Sequence, residues 1–308
     1  MELLNVDGVD QVSEFLEKYL EAGRIAAKLK DEAKRIVKVD TPLLEICERL
    51  EESTFKLGGE PAFPVNIGVD DVTAHYTSPP EDGGKIPEGS IVKVDLGIHI
   101  QGYIADTAVT ITFNPNLEDL AASTEEALGA ALEAIKPGAR VSQIGAVIEK
   151  TINRFGYKPI RNLMGHRIER YSLHTGKSIP NVSGIEAGTV LEGEVYAVEP
   201  FATLQDAAGL VRDSPQRYIF RYVKERRLKS KDARAILEHV RNSYRTLPFA
   251  SRWLAARFPR DVVERSFKEM IESRCIHSYN VLVEASGKPV AQAEHTVIVE
   301  RDGCRVIT

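Results

Sequence analysis

Asp95 and Asp106 lie on the two arms of a predicted β-hairpin, where their carboxylates could act together. Residues 91–100 alternate between apolar and polar side chains, Gln101-Gly102 can turn the chain, and residues 103–113 return as a second strand. With a two-residue turn, the aspartates share one face of the sheet, about 5 to 8 Å apart, either directly opposite or diagonal. Their repulsion must be relieved by a shared proton, a basic neighbour or a metal ion, unless the pair simply lies on a solvated face.

Three further residues extend this candidate site. Glu199 follows the apolar strand pattern of residues 195–198, and Glu294 begins a second core-like strand, so either carboxylate is costly to bury without a partner. His166 follows a glycine in a segment that we expect to be extended. Four carboxylates and one imidazole suit two divalent cations, and this oxygen-rich set favours Mn, Fe(II) or Co over a thiolate-bound structural zinc. Two such ions can activate one water molecule and stabilise charge on a carbonyl oxygen.

Helical patterns precede each half of the candidate site. Periodic apolar residues, together with proline and glycine at the ends, predict helices at residues 9–38, 41–53, 118–136 and 142–155. The pattern E-G-x-[IV]-x-x-V-[DE] occurs at residues 88–95 and again at 192–199. Each copy follows two helices and an extended segment that contains a histidine, His75 or His174. Either the match arose by chance, or the chain has two related halves around one site.

Together these residues resemble the methionine aminopeptidases, a family of dinuclear metallohydrolases with the "pita-bread" fold. The resemblance extends over about residues 5–305 and includes the motifs IADTAV at 104–109, GH at 165–166, YSLH at 171–174 and AEHT at 293–296. The long segment between Phe201 and Glu294 resembles the insertion that marks type II. No polybasic or acidic extension precedes the catalytic region, which is typical of the short archaeal-type form.

The resemblance implies an α+β fold in which an antiparallel sheet with pseudo-twofold symmetry is covered on one side by two helix pairs. It implies a single catalytic domain over residues 1–308, with a helical insertion at about 212–275. The implied activity is that of a metal-dependent methionyl aminopeptidase, a hydrolase that removes the initiator methionine from nascent polypeptides whose second residue is small.

The resemblance also implies how the ligands divide between two divalent ions, which could be Co, Mn, Fe(II) or Zn. Asp95 would chelate one ion. His166 and Glu199 would hold the second. Asp106 and Glu294 would bridge the two ions. All five ligand types are present, which argues against the metal-free relatives that keep this fold as binding proteins.

Two histidines and an apolar slot complete the implied active site. His75 and His174 would flank the scissile peptide bond, one positioning substrate and transferring a proton, the other donating to the developing oxyanion. His99 shares the face of the aspartates but lies nearer the turn, so we expect it to be exposed and structural. The methionine pocket would be lined by Phe63, Pro64, Leu173 and Phe201, which suit an unbranched thioether.

Two other functions are compatible with parts of the pattern. A sister pita-bread peptidase that cleaves before or after proline uses similar ligands, but it usually carries a large N-terminal domain. The 94 residues before Asp95 leave little room for one. A ribosome- or RNA-associated protein without catalysis is the second alternative, and the complete ligand set argues against it.

Charge is distributed unevenly along the chain. The 308 residues carry a net charge of −5, but Arg217–Lys268 contains 15 Lys+Arg and 5 Asp+Glu, a local net of +10 against −15 elsewhere. A basic segment in an acidic protein predicts contact with ribosomal RNA near the exit of the nascent chain. The alternative is a solvated insertion whose arginines pair with the acidic body.

Composition restricts the class of protein. The chain is 43% hydrophobic and 28% charged, close to the average for globular domains, and no apolar stretch approaches the roughly 18 to 20 residues of a membrane span. No secretory signal is visible, and three scattered cysteines form no disulfide framework. These features favour a cytoplasmic protein that does not contact membranes. We also expect the protein to be a monomer.

Overall fold

Pairs of helices are followed by runs of strands in the computed structural model, which describes residues 6–186 and 188–308. The helices of this part of the chain are α1 (Val6–Ile36), α2 (Leu43–Lys56), α3 (Glu118–Ala134), α4 (Val141–Arg154), α5 (Lys231–Tyr244), α6 (Ser251–Leu254) and α7 (Arg260–Glu272), with a 3₁₀ turn at Pro115–Leu117. The strands are β1 (Glu60–Pro61), β2 (Asn66–Val69), β3 (Val72–Ala74), β4 (Ile91–Ile100), β5 (Tyr103–Thr112), β6 (Lys158–Pro159), β7 (Met164–Glu169), β8 (Ser172–Pro180), β9 (Val195–Val198), β10 (Phe201–Thr203), β11 (Val211–Asp213), β12 (Ile219–Tyr222), β13 (Pro248–Ala250), β14 (Ile276–Tyr279), β15 (Leu282–Glu284), β16 (Val290–Gln292), β17 (His295–Glu300) and β18 (Gly303–Val306).

Two antiparallel sheets carry most of the candidate site residues. In the first sheet, β4 pairs with β1, β2 and β5, and the second has the strand order β18-β17-β9-β7-β8. A β-bridge between Ala108 in β5 and Glu294, just before β17, joins the two sheets. The two sheets therefore meet where the predicted ligands are concentrated.

Each of these sheets packs against one pair of helices. Buried apolar side chains of α2 recur at helical spacing, Leu43, Ile46, Cys47 and Leu50, and they join α1 in a core against β4 and β5. The helices α3 and α4 form a second core against β9 and β17. All four helices begin and end within three residues of the predicted positions. None of the described helices has both the length and the apolar character to span a bilayer.

The β4–β5 hairpin fixes the geometry of the two aspartates. Its turn is Gln101-Gly102, where φ is +52° and +89°, as a two-residue turn that continues the strand twist requires. Ile100 pairs with Tyr103, so Asp95 faces Ala108 and Asp106 faces Gly97. The aspartates are therefore diagonal neighbours on one face, the second of the two expected arrangements.

The segment 212–275 is less helical than the resemblance implied. It contains α5, α6 and α7, but also β12 and β13, which form a three-stranded sheet with β14. The apolar runs at 219–220 and 248–250 are too short for helices and pair as strands instead. These elements enclose a separate small core that includes Phe220, Phe249 and Phe267.

A buried ion pair connects this segment to α2. Arg252 is 8% exposed and its guanidinium pairs with the carboxylate of Glu51, which is 7% exposed. The same carboxylate accepts hydrogen bonds from Trp253 Nε1 at 2.8 Å and from the Val65 amide at 3.1 Å. The Glu51 carboxylate is therefore buried, and both of its oxygens accept hydrogen bonds.

We expect Arg252→Met to lower the free energy of unfolding by about 3 to 5 kcal/mol, because it leaves Glu51 buried without its counter-ion. Arg260→Met is the matched control, since Arg260 pairs with Glu81 and Glu264 on the exposed surface. Its cost should stay below about 1 kcal/mol. Urea denaturation measures both, and equal losses would contradict a structural role for the buried pair.

Candidate active site

The predicted site residues come together around one cavity of about 190 Å³. Its walls include all the predicted ligands, both predicted catalytic histidines and three of the four predicted pocket residues, namely Asp95, Asp106, His166, Glu199, Glu294, His75, His174, Phe63, Leu173 and Phe201. Pro64 is buried but does not line the cavity. In the segment between β1 and β2, Phe63 lines the cavity, whereas Pro64 lies outside its wall and its carbonyl accepts a hydrogen bond from Asn66 Nδ2 at 3.1 Å.

Five strands or strand ends supply the polar wall. Asp95 and Asp106 project from β4 and β5, His166 from β7, Glu199 follows β9, and Glu294 precedes β17. Ligand atoms of Asp106, His166 and Glu294 all lie within 4.8 Å of one another. The His166 Nε2 atom is 3.6 Å from Asp106 Oδ2 and 3.6 Å from Glu199 Oε1. One imidazole therefore stands between carboxylates from both sheets.

Hydrogen bonds fix the two carboxylates that occupy the centre of this group. Thr296 Oγ1 accepts from the Asp106 amide at 2.7 Å and donates to the Asp106 carbonyl at 2.8 Å. Thr107 Oγ1 donates to the Glu294 carbonyl at 2.8 Å, and Gln292 Nε2 donates to Glu294 Oε2 at 3.2 Å. The threonine contacts join β5 to β17 and the adjoining Glu294, and they hold the Asp106 backbone beside that of Glu294. Of these contacts, only that of Gln292 reaches a carboxylate oxygen.

The carboxylates are buried together. Lys30 interacts electrostatically with Glu294, but its Nζ donates to Thr107 Oγ1 and it does not line the cavity. Burial raises the pKa of Asp95 to about 7. Burial, with repulsion from the neighbouring acids, raises the pKa of Asp106, Glu199 and Glu294 well above the usual range. Burial also holds the pKa of His166 well below its usual value, and His174 adds to this effect. Among the described residues, no lysine or arginine lines the cavity. A basic neighbour was one of the expected ways to relieve the repulsion between the aspartates, and the cavity wall does not contain one.

A metal ion fits this arrangement. The buried atoms Asp95 Oδ1 and Asp106 Oδ1 have no hydrogen-bond partner among the described residues, although buried polar atoms are nearly always paired. Carboxylate oxygens with one imidazole are ligands that divalent first-row cations accept. Positive charge at this position would satisfy the unpartnered oxygens and remove the repulsion between the acids.

In the metal-free protein we expect Asp95→Asn to become increasingly stabilising, relative to wild type, as the pH rises from about 4 to about 7. The unfolded aspartate ionises near pH 3.9, whereas the folded protein holds its proton up to about pH 7. At Asp95 the folded state then binds more protons than the unfolded state, so the contribution of this residue to wild-type stability falls in this window, by at most about 1.4 kcal/mol per pH unit. Melting temperatures in EDTA measure the difference, and a difference independent of pH would contradict the expectation.

The two predicted catalytic histidines are uncharged at neutral pH. Burial lowers the pKa of His75, whose Nδ1 lies 3.2 Å from the carbonyl oxygen of Asn280. That carbonyl can only accept, so His75 Nδ1 carries the proton and Nε2 is left to accept one. His174 lies at the cavity mouth, 4.0 Å from the ring of His166, and partial loss of solvation, with His75 and Arg221, lowers its pKa to about 4. A neutral His174 has one N–H to donate.

An apolar slot adjoins the polar wall. Phe63, Leu173 and Phe201 are buried and line it. Gly97 lets the Phe63 ring approach β4, because a Cβ at this position would lie 2.1 Å from Phe63 Cε1. The glycine on the ligand-bearing strand thus helps to place the wall of the slot.

The prediction that His99 is exposed was wrong. It is 6% exposed, its Nδ1 accepts a hydrogen bond from the Gly102 amide at 3.2 Å, and its ring contacts the edge of Tyr171. The alternating strand pattern could not reveal that Tyr171, in the turn between β7 and β8, covers this end of the hairpin. His99 remains outside the cavity, so its structural role is unchanged.

Sequence reasoning missed several residues of the cavity wall. They are Asn66, Ala74, Leu163, Met164, Ile219, Pro248 and Tyr279. Leu163 and Met164 directly precede the Gly165-His166 pair and could have been inferred from that position. Ile219 and Tyr279 belong to β12 and β14, and no spacing in the sequence indicates that this sheet reaches the site.

Comparison with known proteins identifies similar chains over nearly the full length. Residues 17–300 match Metallopeptidase family M24. The chain is 47% identical over 296 residues to a methionine aminopeptidase of Methanothermobacter thermautotrophicus, covering 95% of this chain and 98% of the relative. It is 42% identical over 294 residues to a methionine aminopeptidase of Pyrococcus horikoshii, covering 95% of this chain and 99% of the relative. The predicted family resemblance is confirmed.

Solved structures share the fold at low sequence identity. A thermophilic Arx1 superposes with a TM-score of 0.83 at 19% identity, covering 99% of this chain and 91% of the other. Methionine aminopeptidase from Thermotoga maritima gives 0.69 at 21% identity, covering 96% of both chains. A prolidase from Pyrococcus horikoshii gives 0.62 at 16% identity, covering 96% of this chain but 62% of the prolidase. These neighbours confirm the predicted pita-bread fold.

Proposed function

The chain belongs to metallopeptidase family M24, and we propose that it removes the initiator methionine from nascent polypeptides by hydrolysis. One observation carries this proposal: a single cavity joins an oxygen-rich, uncompensated acidic wall to a narrow apolar slot. The acidic wall suits catalytic metal, and the slot suits an unbranched thioether side chain. The names of relatives that match nearly the whole chain support the same substrate.

Five residues would hold two divalent ions in this enzyme. Asp95 would bind one ion, His166 and Glu199 the other, and Asp106 and Glu294 would lie between them. The ligand chemistry is compatible with Co, Mn, Fe(II) or Zn. When bound, such ions supply an activated water molecule and stabilise negative charge on the scissile carbonyl oxygen.

The protein's own groups orient the peptide and move protons around it. Phe63, Leu173 and Phe201 hold the methionine side chain and exclude water from it. His75 Nε2 accepts a proton or a hydrogen bond from the substrate, because Nδ1 faces a carbonyl oxygen. His174 donates its N–H to the carbonyl oxygen as negative charge develops there. We expect the second residue of the substrate to be small, as the similarity to methionine aminopeptidases implies.

A peptide assay separates this function from its two alternatives. With divalent ions present, we expect methionine to be released from Met-Ala-Ser, while X-Pro peptides remain intact. Preferential cleavage of X-Pro peptides would favour the proline-specific alternative. No cleavage of either substrate across Co, Mn, Fe(II) and Zn would favour a non-catalytic role.

We further propose that the basic segment Arg217–Lys268 docks the enzyme on ribosomal RNA, and that the enzyme acts as a monomer in the cytoplasm. Its densest run, Arg226, Arg227, Lys229 and Lys231, is exposed. Of the segment's arginines, Arg252 and Arg260 pair with carboxylates outside it. The run at 226–231 forms no ion pair with any carboxylate among the described residues. Pairing with acidic residues outside Arg217–Lys268 therefore accounts for only part of the positive charge of this segment.

Charge reversal at Arg226, Arg227, Lys229 and Lys231 should weaken ribosome binding and flatten its salt dependence. Each lost phosphate contact should reduce the slope of log K against log salt by roughly 0.7 to 0.9. Reversal of four exposed basic residues elsewhere, Lys28, Lys136, Lys150 and Arg154, changes the net charge equally and should leave the slope unchanged. Tripeptide cleavage measured in parallel confirms that both variants are folded. Equal ribosome affinity of wild type and the 226–231 variant at every salt concentration would refute docking.

A further inference from the structure

A second cavity of about 300 Å³ adjoins the catalytic one. The two share four wall residues, Leu173, His174, Pro248 and Tyr279. The second cavity is completed by Arg170, Tyr171, Ser172, Arg221 and Thr246. Because His174 and its neighbours form a common wall, the two spaces are adjoining parts of one cleft that begins at the apolar slot.

The charge of this outer part is opposite to that of the catalytic wall. Arg170 and Arg221 line it, and no acidic residue among the described residues does so. Arg221 Nε donates to the hydroxyl of Tyr279 at 3.1 Å, and Arg170 Nε donates to the Gln101 carbonyl at 3.0 Å. Both hydrogen bonds are to neutral acceptors, so they orient the guanidinium groups without neutralising them.

Nearby residues reinforce the positive charge. The Arg245 guanidinium lies 4.6 Å from the centre of the Tyr171 ring, which forms part of the wall. In the described part of the chain, no carboxylate oxygen lies within 4.0 Å of the side-chain nitrogens of Arg170, Arg221 or Arg245. Glu14 is close enough to interact with Arg170, but it is paired with Lys18.

We infer that this outer cleft binds residues three and four of the substrate and selects acidic side chains at those positions. The inference rests on the proposed function, which places the methionine side chain in the slot and the scissile carbonyl at His174. An extended peptide advances about 3.3 Å per residue, so residues three and four lie roughly 5 to 8 Å beyond the scissile bond. The cleft past His174 is the part of the cavity system that such a chain enters.

The same chemistry distinguishes free from amidated short peptides. In a tripeptide the terminal carboxylate belongs to residue three, so it enters the cleft beside the arginines. Arginine is suited to this recognition because its planar guanidinium can donate two parallel hydrogen bonds to one carboxylate. A free-acid tripeptide should therefore be cleaved more efficiently than its amide, and side-chain selectivity must be measured on amidated peptides.

The test compares amidated Met-Ala-X-Gly peptides in which X is Asp, Asn or Lys. We expect kcat/KM to decrease in that order, with Asp favoured over its near-isostere Asn by about twofold to fivefold at low salt. The preference for Asp should decline in 0.5 M salt, because the Debye length there is about 4 Å and the charges of the arginines are screened beyond that distance. Equal kcat/KM values for the three peptides would overturn the inference.

Arginine variants locate the source of the preference. The ratio of kcat/KM for the Asp peptide to that for the Asn peptide should move closer to one in Arg170→Gln and in Arg221→Gln. Arg221→Lys should retain more of the preference for Asp. Arg161→Gln removes the same charge from an exposed site outside the cleft and should keep the wild-type ratio. A ratio unchanged in both cleft variants would refute the assignment.

The failure of this inference is distinguishable from failure of the proposed function. If wild type releases methionine from all three peptides at equal efficiency, the aminopeptidase stands and the acidic preference is wrong. If it releases methionine from none of them under any divalent ion, the proposed function fails, and this inference fails with it.

Discussion

Asp106→Asn and Glu294→Gln should each lower kcat/KM for Met-Ala-Ser by at least about a hundredfold, which is the upper end of the loss expected for groups that only support a metal ligand. Asp106 belongs to the cluster whose ligand atoms lie within 4.8 Å of one another, and Glu294 completes it. Each variant removes a charge shared by both proposed ions, so it weakens both sites together. Metal content measured beside activity should fall in each variant.

The matched control for Asp106→Asn is Asp302→Asn. Asp302 is an exposed carboxylate at the β17–β18 turn, far from the cavity lining. It should keep wild-type activity and metal content. If Asp106→Asn stayed within about threefold of wild type, the dinuclear interpretation would be wrong.

His174→Ala should lower kcat by about 10²- to 10³-fold with little change in metal content. The ring lies at the cavity mouth and is uncharged at neutral pH, so it can donate one N–H to a developing oxyanion. A donor of this kind acts mainly in the transition state, and removing one typically costs this much in kcat. Steady-state kinetics with metal analysis of the same samples measures both quantities.

His239→Ala is the matched control, because His239 lies on α5 and is absent from the cavity wall. It should leave kcat and metal content unchanged. Loss of metal in His174→Ala, with normal kcat per bound ion, would instead make His174 a ligand or a scaffold residue.

The parts of the fold that local patterns determine could be predicted from the sequence. Apolar spacing on α2 and the turn residues Gln101-Gly102 are sufficient to place a helix and a hairpin. The segment 212–275 was harder, because its strands β12 and β13 are short apolar runs that only tertiary pairing distinguishes from helix. His99 was misjudged for a related reason, since Tyr171 covers it from another sheet.

The polar part of the site was more accessible to sequence reasoning than the apolar part. Acidic residues on apolar strands, such as Glu199, are costly to bury and therefore conspicuous in a sequence. Apolar wall residues such as Ile219 look like any other core residue. Pro64 was assigned to the pocket through the family resemblance, and it is buried but does not line the cavity.

The central claim, metal-dependent release of N-terminal methionine, is tested most directly by chelation followed by metal titration. Protein treated with EDTA and checked by elemental analysis should release no methionine from Met-Ala-Ser. Activity should return as a divalent ion is added and should saturate as the site fills. Full activity in protein verified to be free of metal would contradict the account.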